Sequence, residues 1–376
     1  MNSFSSFGYF LTSQKKKRAS SSLLNFNVVG VGSNCFTFTW TTPTVAVTTY
    51  NLTYNGGIVQ NIPVENITKN AQYGYSGYTL KGINITIPFY FTFGSDATTS
   101  VTKTVDNISA FSVPSDNASY TTSVINSFTQ IKFISSVAAF TMPTTTDGLS
   151  NRVNKAGVMI VGQGGTGGNG ILGGNSVSYY GGGGGGGGVV FYPLLGSYSA
   201  TPPESPDVVI NSSYSMFSTL IQAFAGGSGG NGYWASIGGG TLNKNGAGGI
   251  ATSATVNNII LVGGNGSHGD NNNYLCNNGI SLVVPEMDIS FNFSGGGCAG
   301  GCSSTTVYSA CELIRSIYGN GMGAIFVSKG NTTPSKSGVA YTGGGGGGGD
   351  IHNKTGSNGG SGVVYLYYSS YFFTVQ

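Results

Sequence analysis

Residues 179–190 read YYGGGGGGGGVV, and a second glycine run fills residues 343–349. A run of this kind can be a disordered linker, a phosphate-binding loop or a structural element. Because glycine has no Cβ, glycine chains can lie against one another in the polyproline II conformation, with about three residues per turn. That conformation has no internal hydrogen bonds, so each run must pair with neighbouring runs or with water. The fold therefore depends on how many such runs the chain supplies.

Further glycine runs alternate with short apolar segments, which are typical of β-strands. The runs lie at residues 162–170, 181–188, 226–232, 238–249, 295–301 and 343–349. Their order predicts extended glycine rods that are packed side by side and flanked by strands. We therefore expect an all-β protein in which residues 128–376 form a Gly-rich domain of β-strands and packed polyproline or polyglycine II helices.

The composition favours an ordered chain over a disordered one. Glycine contributes 65 residues and proline 11, while 7% of residues are charged and 12% are aromatic. Disordered chains are rich in charge and poor in aromatic residues, since they cannot bury enough apolar surface to offset their conformational entropy. The balance here is the opposite, which argues against the linker interpretation.

Four basic residues are clustered near the N-terminus: Lys15, Lys16, Lys17 and Arg18. They account for more than the whole net charge of +3, since the remaining 11 basic residues face 12 acidic ones, so the rest of the chain has no basic face for nucleic acid. We interpret residues 1–26 as a flexible arm, either solvated or docked on an acidic partner. No signal peptide is recognised in it, and no apolar run predicts a membrane span.

Residues 27–110 show the alternation of apolar and polar residues that indicates half-buried strands. The alternating apolar residues are Phe36, Phe38 and Trp40; Tyr50, Leu52 and Tyr54; and Ile83, Ile85, Ile87, Phe89, Phe91 and Phe93. The first two sets precede polar turns, and Pro88 is expected to bend or break the third. Short strands with polar turns predict a β-sandwich here, joined by a connector at 111–127 to the Gly-rich domain.

Two segments of this sandwich resemble a known family. FTFTWTTPTVAVTTYNLTYNGG is similar to strands B and C of a fibronectin type III domain, with Trp40 as the core tryptophan, and TLKGINITIPFYFTFGSD is similar to its F-strand region. The spacing between Gly82 and Tyr90 departs from the family pattern. The resemblance implies an N-terminal fibronectin III-like β-sandwich.

A second resemblance covers residues 128–370. FTMPTTTDGLSNRVNKAGVMIVGQGGTGGNG and the closing GGSGVVYLYY resemble the Gly-rich domain of phage tail-tip adhesins, giant-virus proteins and the anaplastic lymphoma kinase ectodomain. The resemblance lies in the order of apolar strands and glycine runs. It implies a polyglycine II-type domain in a protein of a virion or a cell surface.

The residue pattern gives little support for catalysis or for a cofactor. GQGGTG at 162–167 follows an apolar strand, but no helix and no acidic partner follow it, so dinucleotide binding is excluded. Ser267, His268 and Asp270 are neighbours in one turn, where triad geometry is not attainable. We expect a non-enzymatic protein with no cofactor and no metal.

Cysteines are concentrated in one region. Cys276, Cys298, Cys302 and Cys311 are candidate disulfide residues, whose pairing the sequence leaves open, while Cys35 stands apart. A structural zinc site is the alternative, but the CxxxC spacing of Cys298 and Cys302 has no second close pair.

Segments between the glycine runs carry aromatic, amide and charged residues that can stack on or hydrogen-bond to sugars and protein surfaces. The candidate ligand or partner contacts are Tyr179, Tyr180, Tyr233, Trp234, His268, Asp270 and Tyr274. The alternative for each aromatic residue is that it fills a core or covers an edge of the packed glycines.

These observations predict a structural or attachment protein, either of a virion, namely that of a large DNA virus, or of a cell surface. Its Gly-rich domain would be a rigid scaffold that presents loops, as a capsid or fibre component or as an adhesin for host attachment. Expected partners are other virion or surface proteins, glycans or a host receptor, within an oligomer or a larger assembly. The alternatives are a secreted or surface lectin or carbohydrate-active protein, and a receptor-type ligand-binding module.

Overall fold

The protein is described here from a computed structural model. The residues that it describes are 21–23, 25–55, 57–71, 73–172, 178–179, 181–194, 201–219, 221–231, 251–253, 259–261, 263–264, 266, 278–300, 305–322, 325–328, 331–349 and 355–376.

The strands of the first 133 residues are β1 Ser21–Ser22, β2 Asn27–Val31, β3 Cys35–Thr41, β4 Thr49–Tyr54, β5 Ile58–Pro63, β6 Thr68–Asn70, β7 Tyr75–Lys81, β8 Phe89–Ser95, β9 Thr98–Thr99, β10 Val101–Ala110, β11 Tyr120–Ile125 and β12 Phe128–Phe133. The elements that follow are β13 Gly157–Val161, β14 Ile171–Leu172, β15 Ser178–Tyr179, β16 Val189–Tyr192, β17 Val208–Ile210, β18 Tyr214–Phe217, β19 Ile221–Phe224, β20 Ala251–Ser253, β21 Ile259–Leu261, β22 Ile280–Val284, β23 Ile289–Phe293, the helix α1 Thr305–Tyr318, β24 Ile325–Ser328, β25 Asn331–Thr333, β26 Val363–Ser369 and β27 Tyr371–Val375. A 3-10 turn covers Val64–Asn66.

The all-β prediction is confirmed. The strands form several sheets, mostly antiparallel, and α1 is the one α-helix in the described part of the chain.

Two sheets form a β-sandwich, called here the first sandwich. One has the strand order β2-β3-β7-β6 and the other β27-β10-β8-β4-β5. Its core is aromatic: Phe38, Trp40, Phe91 and Phe93 are fully buried, and the Phe38 and Phe91 rings meet edge to face at 4.8 Å. The strand predictions around Phe36–Trp40 and Tyr50–Tyr54 match β3 and β4.

Two details of the first sandwich differ from the sequence-based expectation. Residues 83–88 form no strand, so the third alternating segment starts as a strand only at Phe89. The Ile87–Pro88 peptide bond is cis. The strand β3 is buried on both faces. The face of β3 that points away from the aromatic core packs against the start of β12, where Thr37 Oγ1 lies 2.6 Å from Ser127 Oγ.

The last strand of the chain also belongs to the first sandwich. β27 pairs antiparallel with β10, with Val375 opposite Val105 and Tyr371 opposite Ala110. Tyr371, Phe373 and Val375 pack against the aromatic core. The sequence pattern assigned these residues to the Gly-rich domain at 128–376. A five-residue apolar segment carries no local signal that identifies its partner strand, so this pairing was not predicted.

A six-stranded sheet, called here the central sheet, has the order β11-β12-β26-β13-β16-β21. Its middle strands are apolar on both faces, since both faces are covered. Val158 and Ile160 face the sheet β17-β18-β19-β20, whereas Met159 and Val161 face the hairpin β22–β23. This burial explains the continuous apolar sequences GVMIV and VVYLYYS.

The glycine runs leave this sheet region as extended segments outside the regular strands. The described runs cover residues 162–170, 181–188, 226–231, 263–264, 266, 295–300, 343–349 and 355–361, and together they are called the glycine lattice. The runs are hydrogen-bonded to one another through their backbones. The phosphate-loop and linker interpretations are therefore wrong for the run at 181–188.

Candidate functional site

The run at 181–188 lies at the centre of the glycine lattice, and all of its residues are buried. The amides of Gly181, Gly184 and Gly187 donate to the carbonyls of Gly349, Gly346 and Gly343 at 2.8–2.9 Å. The amides of Gly182, Gly185 and Gly188, which are again three residues apart, donate to a second segment. Their acceptors are the carbonyls of Gly230, Gly227 and Phe224, at 2.8–3.0 Å. A repeat of three residues is that of a polyproline II helix.

The packing leaves no room for a side chain at several positions of the central run. A Cβ on Gly184 would lie under 3.0 Å from the carbonyl of Gly165, and one on Gly183 would clash in the same way with Gly297. The atoms in the way belong to backbones that are themselves hydrogen-bonded, so they cannot rotate aside. Each of these positions therefore requires glycine.

Runs at the surface of the lattice carry a side chain at every third residue. One surface run has Gln163, Thr166 and Asn169, and the parallel run beside it has Ala225, Ser228 and Asn231. The two runs are joined by the Thr166 hydroxyl, which donates to Ser228 Oγ at 2.9 Å. An unbroken glycine run therefore indicates a rod that other rods surround on all sides, whereas a side chain at every third residue indicates a rod with one face at the surface.

The hydrogen-bond register gives the lattice two distinct ends. At one end Gly162 pairs with Gly188, and Gly188 with Phe224, directly beside the strands β13, β16 and β19. This is the strand end. At the opposite end, Gly181 pairs with Gly349 and Gly300. This is the distal end.

Several parts of the chain converge on the distal end. Gly168 and Gly230 are hydrogen-bonded to Gly182 there, so the runs that end near residues 169 and 231 also terminate at this end. The amide side chains of these terminal residues join the runs: Asn169 N–H donates to Asn231 Oδ1 at 2.8 Å, and Gly356 N–H donates to Asn169 Oδ1 at 2.9 Å. Asn169 and Asn231 are exposed. The described edge of the distal end is therefore polar and uncharged.

Most of the predicted contact residues lie outside the described residues: Tyr180, Tyr233, Trp234, His268, Asp270 and Tyr274. Tyr179 is described only through its backbone, which pairs with Ile171 in the two-stranded ribbon β14–β15. Their contact roles stay predictions. Three described residues lie near them in sequence, namely Gly181, Asn231 and Gly266. All three belong to the distal half of their runs.

The basic cluster of Lys15, Lys16, Lys17 and Arg18 also lies outside the described residues. Of the candidate disulfide residues, Cys276 and Cys302 do as well. Cys298 takes part in a disulfide, and its sulfur lies in a small buried cluster with Cys311 and Met322. Which cysteine is bonded to Cys298 stays a prediction.

Helix α1 covers one flank of the lattice beside this cluster. It begins after the run 295–300 and returns to the strand end, where Gly295 N–H donates to Tyr318 O at 3.3 Å. Arg315 fixes the following turn by donating to the carbonyls of Asn320 at 2.8 Å and Ser337 at 2.6 Å. A helix of this length spans about 21 Å, which matches seven residues of a polyproline II rod.

Sequence reasoning missed one buried acidic residue at the junction of the sheets. Glu286, in the turn between β22 and β23, is fully buried. It accepts hydrogen bonds from Tyr75 OH and Tyr367 OH at 2.7 Å and from Leu194 N–H at 3.1 Å. Burial raises the pKa of Glu286, and the hydrogen bonds oppose that shift. An acidic residue in the apolar segment VVPEM was the available signal.

These contacts join three parts of the molecule. Tyr75 belongs to the first sandwich, Tyr367 to the central sheet and Glu286 to the hairpin that covers it. Two further bonds extend the junction: Asn70 Nδ2 donates to Val283 O, and Thr68 Oγ1 donates to Asp288 Oδ1, both at 2.6 Å. The hydrogen bonds therefore connect the three parts, and burial raises the pKa values of Tyr75 and Tyr367.

No family model matches the chain, and no curated protein matches it. Within the described ranges, no His, Cys, Asp and Glu side chains cluster as metal ligands. None of the described helical segments is long and apolar enough to cross a membrane.

Proposed function

We propose that the protein is a non-enzymatic structural or attachment protein of a virion or a cell surface, in which the glycine lattice is a rigid scaffold. The observation that supports this most strongly is the convergence of the glycine runs on one distal end, away from the strands. Backbone hydrogen bonds already hold that end in place. Little conformational entropy is therefore lost when a ligand binds there, which favours binding.

The residues predicted to contact a ligand fit this proposal. Tyr233 and Trp234 follow a run that ends at the distal end, and Tyr180 precedes another. Aromatic and amide residues on a rigid support suit contact with glycans or with a protein receptor. The uncharged polar edge made by Asn169 and Asn231 suits a neutral polymer better than an ionic partner.

Binding by the full-length chain tests the attachment role. On a glycan array and on intact host cells, we expect saturable binding that the double substitution Tyr233→Ala/Trp234→Ala weakens at least about tenfold, as for a lost aromatic hot spot. Tyr90→Ala is the matched control, since Tyr90 is an exposed aromatic residue of the first sandwich. Equal loss in the control, or binding unaffected by the double substitution, would reject a distal contact site.

Mass spectrometry of purified particles and of surface fractions tests the location. Recovery of the protein in one of these fractions is expected, and absence from all of them would remove the virion and surface proposal. Binding to a protein receptor with a blank glycan array would favour the receptor-type module over a lectin.

A further inference from the structure

A cavity of about 490 Å³ lies between the first sandwich and the central sheet, away from the glycine lattice. It is lined by the edge strands β2 and β27, by β26 and by the segment that leads into β13. Its volume is within the range of roughly 300–1,000 Å³ that is typical of small-molecule sites. None of its lining residues belongs to a glycine run, so the cavity is separate from the distal end.

Part of the cavity wall is apolar and aromatic. Val28, Phe111 and Phe372 line it, and the rings of Phe111 and Phe372 meet edge to face with their centroids 6.4 Å apart. Such walls favour an aliphatic or aromatic ligand body, since burying it removes apolar surface from water.

Two lysines give the cavity a positive charge. Lys103 is contributed by β10 and Lys155 by the segment before β13, so one comes from each side of the cleft. None of the described residues that line the cavity is acidic, and neither lysine forms an ion pair with a carboxylate of the described residues. The charge of this cleft is therefore complementary to an anion.

We infer that this cavity is a binding site for an amphipathic carboxylate, with the apolar chain against Val28, Phe111 and Phe372 and the carboxylate between the two lysines. A cavity that offers both apolar rings and a few charged groups is typical of a ligand site.

Titration calorimetry of the full-length chain with sodium dodecanoate, below its micelle concentration, tests the inference. We expect saturable binding of one dodecanoate per chain and no comparable binding of dodecyltrimethylammonium, which has the same chain and the opposite charge. The double substitution Lys103→Met/Lys155→Met should weaken dodecanoate binding about tenfold, as two partly exposed charge contacts would. Lys69→Met, an exposed lysine outside the cavity, is the control.

Absence of saturable dodecanoate binding, equal binding of the cation, or unchanged affinity in the lysine variant would each overturn the inference.

Discussion

At the scale of single residues, the glycines of the lattice are required by contact with other backbones. Conformational freedom is a lesser factor, since of the lattice positions only Gly343 has a left-handed φ, of 65°. Gly184 donates to Gly346 and lies against Gly165, so a side chain there would separate three runs at once. The surface positions Thr166 and Ser228 belong to the same lattice yet carry side chains.

Gly184→Val should therefore destabilise the protein by about 3 kcal/mol or more, which is at the upper end for an overpacked core. The melting temperature should fall by about 10 °C for a domain of this size. Thr166→Ser keeps the hydroxyl that donates to Ser228 Oγ at an exposed position of the lattice and should change stability by less than about 0.5 kcal/mol. Thermal unfolding of both variants measures the difference, and equal melting temperatures would contradict the packing described.

Glu286 makes the stability of the junction dependent on pH. Because burial raises the pKa of Glu286 above its usual value of 4.5, the unfolded chain loses this proton at a lower pH than the folded protein does. The contribution of Glu286 to stability is thus complete below pH 4.5 and is lost as pH rises through the folded pKa.

Glu286→Gln should remove that loss while keeping most of the hydrogen bonds with Tyr75, Tyr367 and Leu194. We expect the variant to gain stability relative to the wild type as pH increases from 4.5, measured by urea unfolding at a series of pH values. Glu65→Gln, an exposed site on the first sandwich, is the control. Parallel stability curves for wild type and Glu286→Gln would show that burial does not control this carboxyl group.

At the scale of elements, local patterns predicted the strands whose environment is simple. Alternation found β3 and β4, and the order of apolar segments and glycine runs found β13, β16 and β26. The pairing of β27 with β10 was not predictable, because it depends on contacts between residues more than 250 positions apart. The alternation predicted a strand at 83–88, but most side chains there are exposed, so no buried face holds the segment in a sheet.

The role of β27 can be tested through Phe373, which packs against the core of the first sandwich. Phe373→Ala should destabilise that sandwich by about 2 kcal/mol, less than a fully buried phenylalanine would, because Phe373 is only partly buried. Calorimetry should show the change, whereas Tyr90→Ala on the exposed face should leave unfolding nearly unaltered. An unaffected unfolding transition in Phe373→Ala would mean that β27 contributes little to the first sandwich.

At the scale of the whole molecule, strands occupy one end of the glycine lattice and the distal end is built from run termini. The runs could be predicted because the absence of side chains is written directly in the sequence. Their register could not, since eight identical residues carry no information about which carbonyl each amide meets. The junction at Glu286 escaped prediction for a related reason: its partners Tyr75 and Tyr367 are ordinary strand residues in distant parts of the chain.

Hydrogen exchange at the amides of residues 181–188 tests the packed-rod structure most directly. The amides of Gly181, Gly182 and Gly184 to Gly188 each donate to a carbonyl of another segment, so they should exchange only with unfolding of the lattice and be protected to nearly the global free energy of unfolding. Exchange of the same amides at the rate of an unstructured glycine peptide would contradict the lattice and identify the run as a linker.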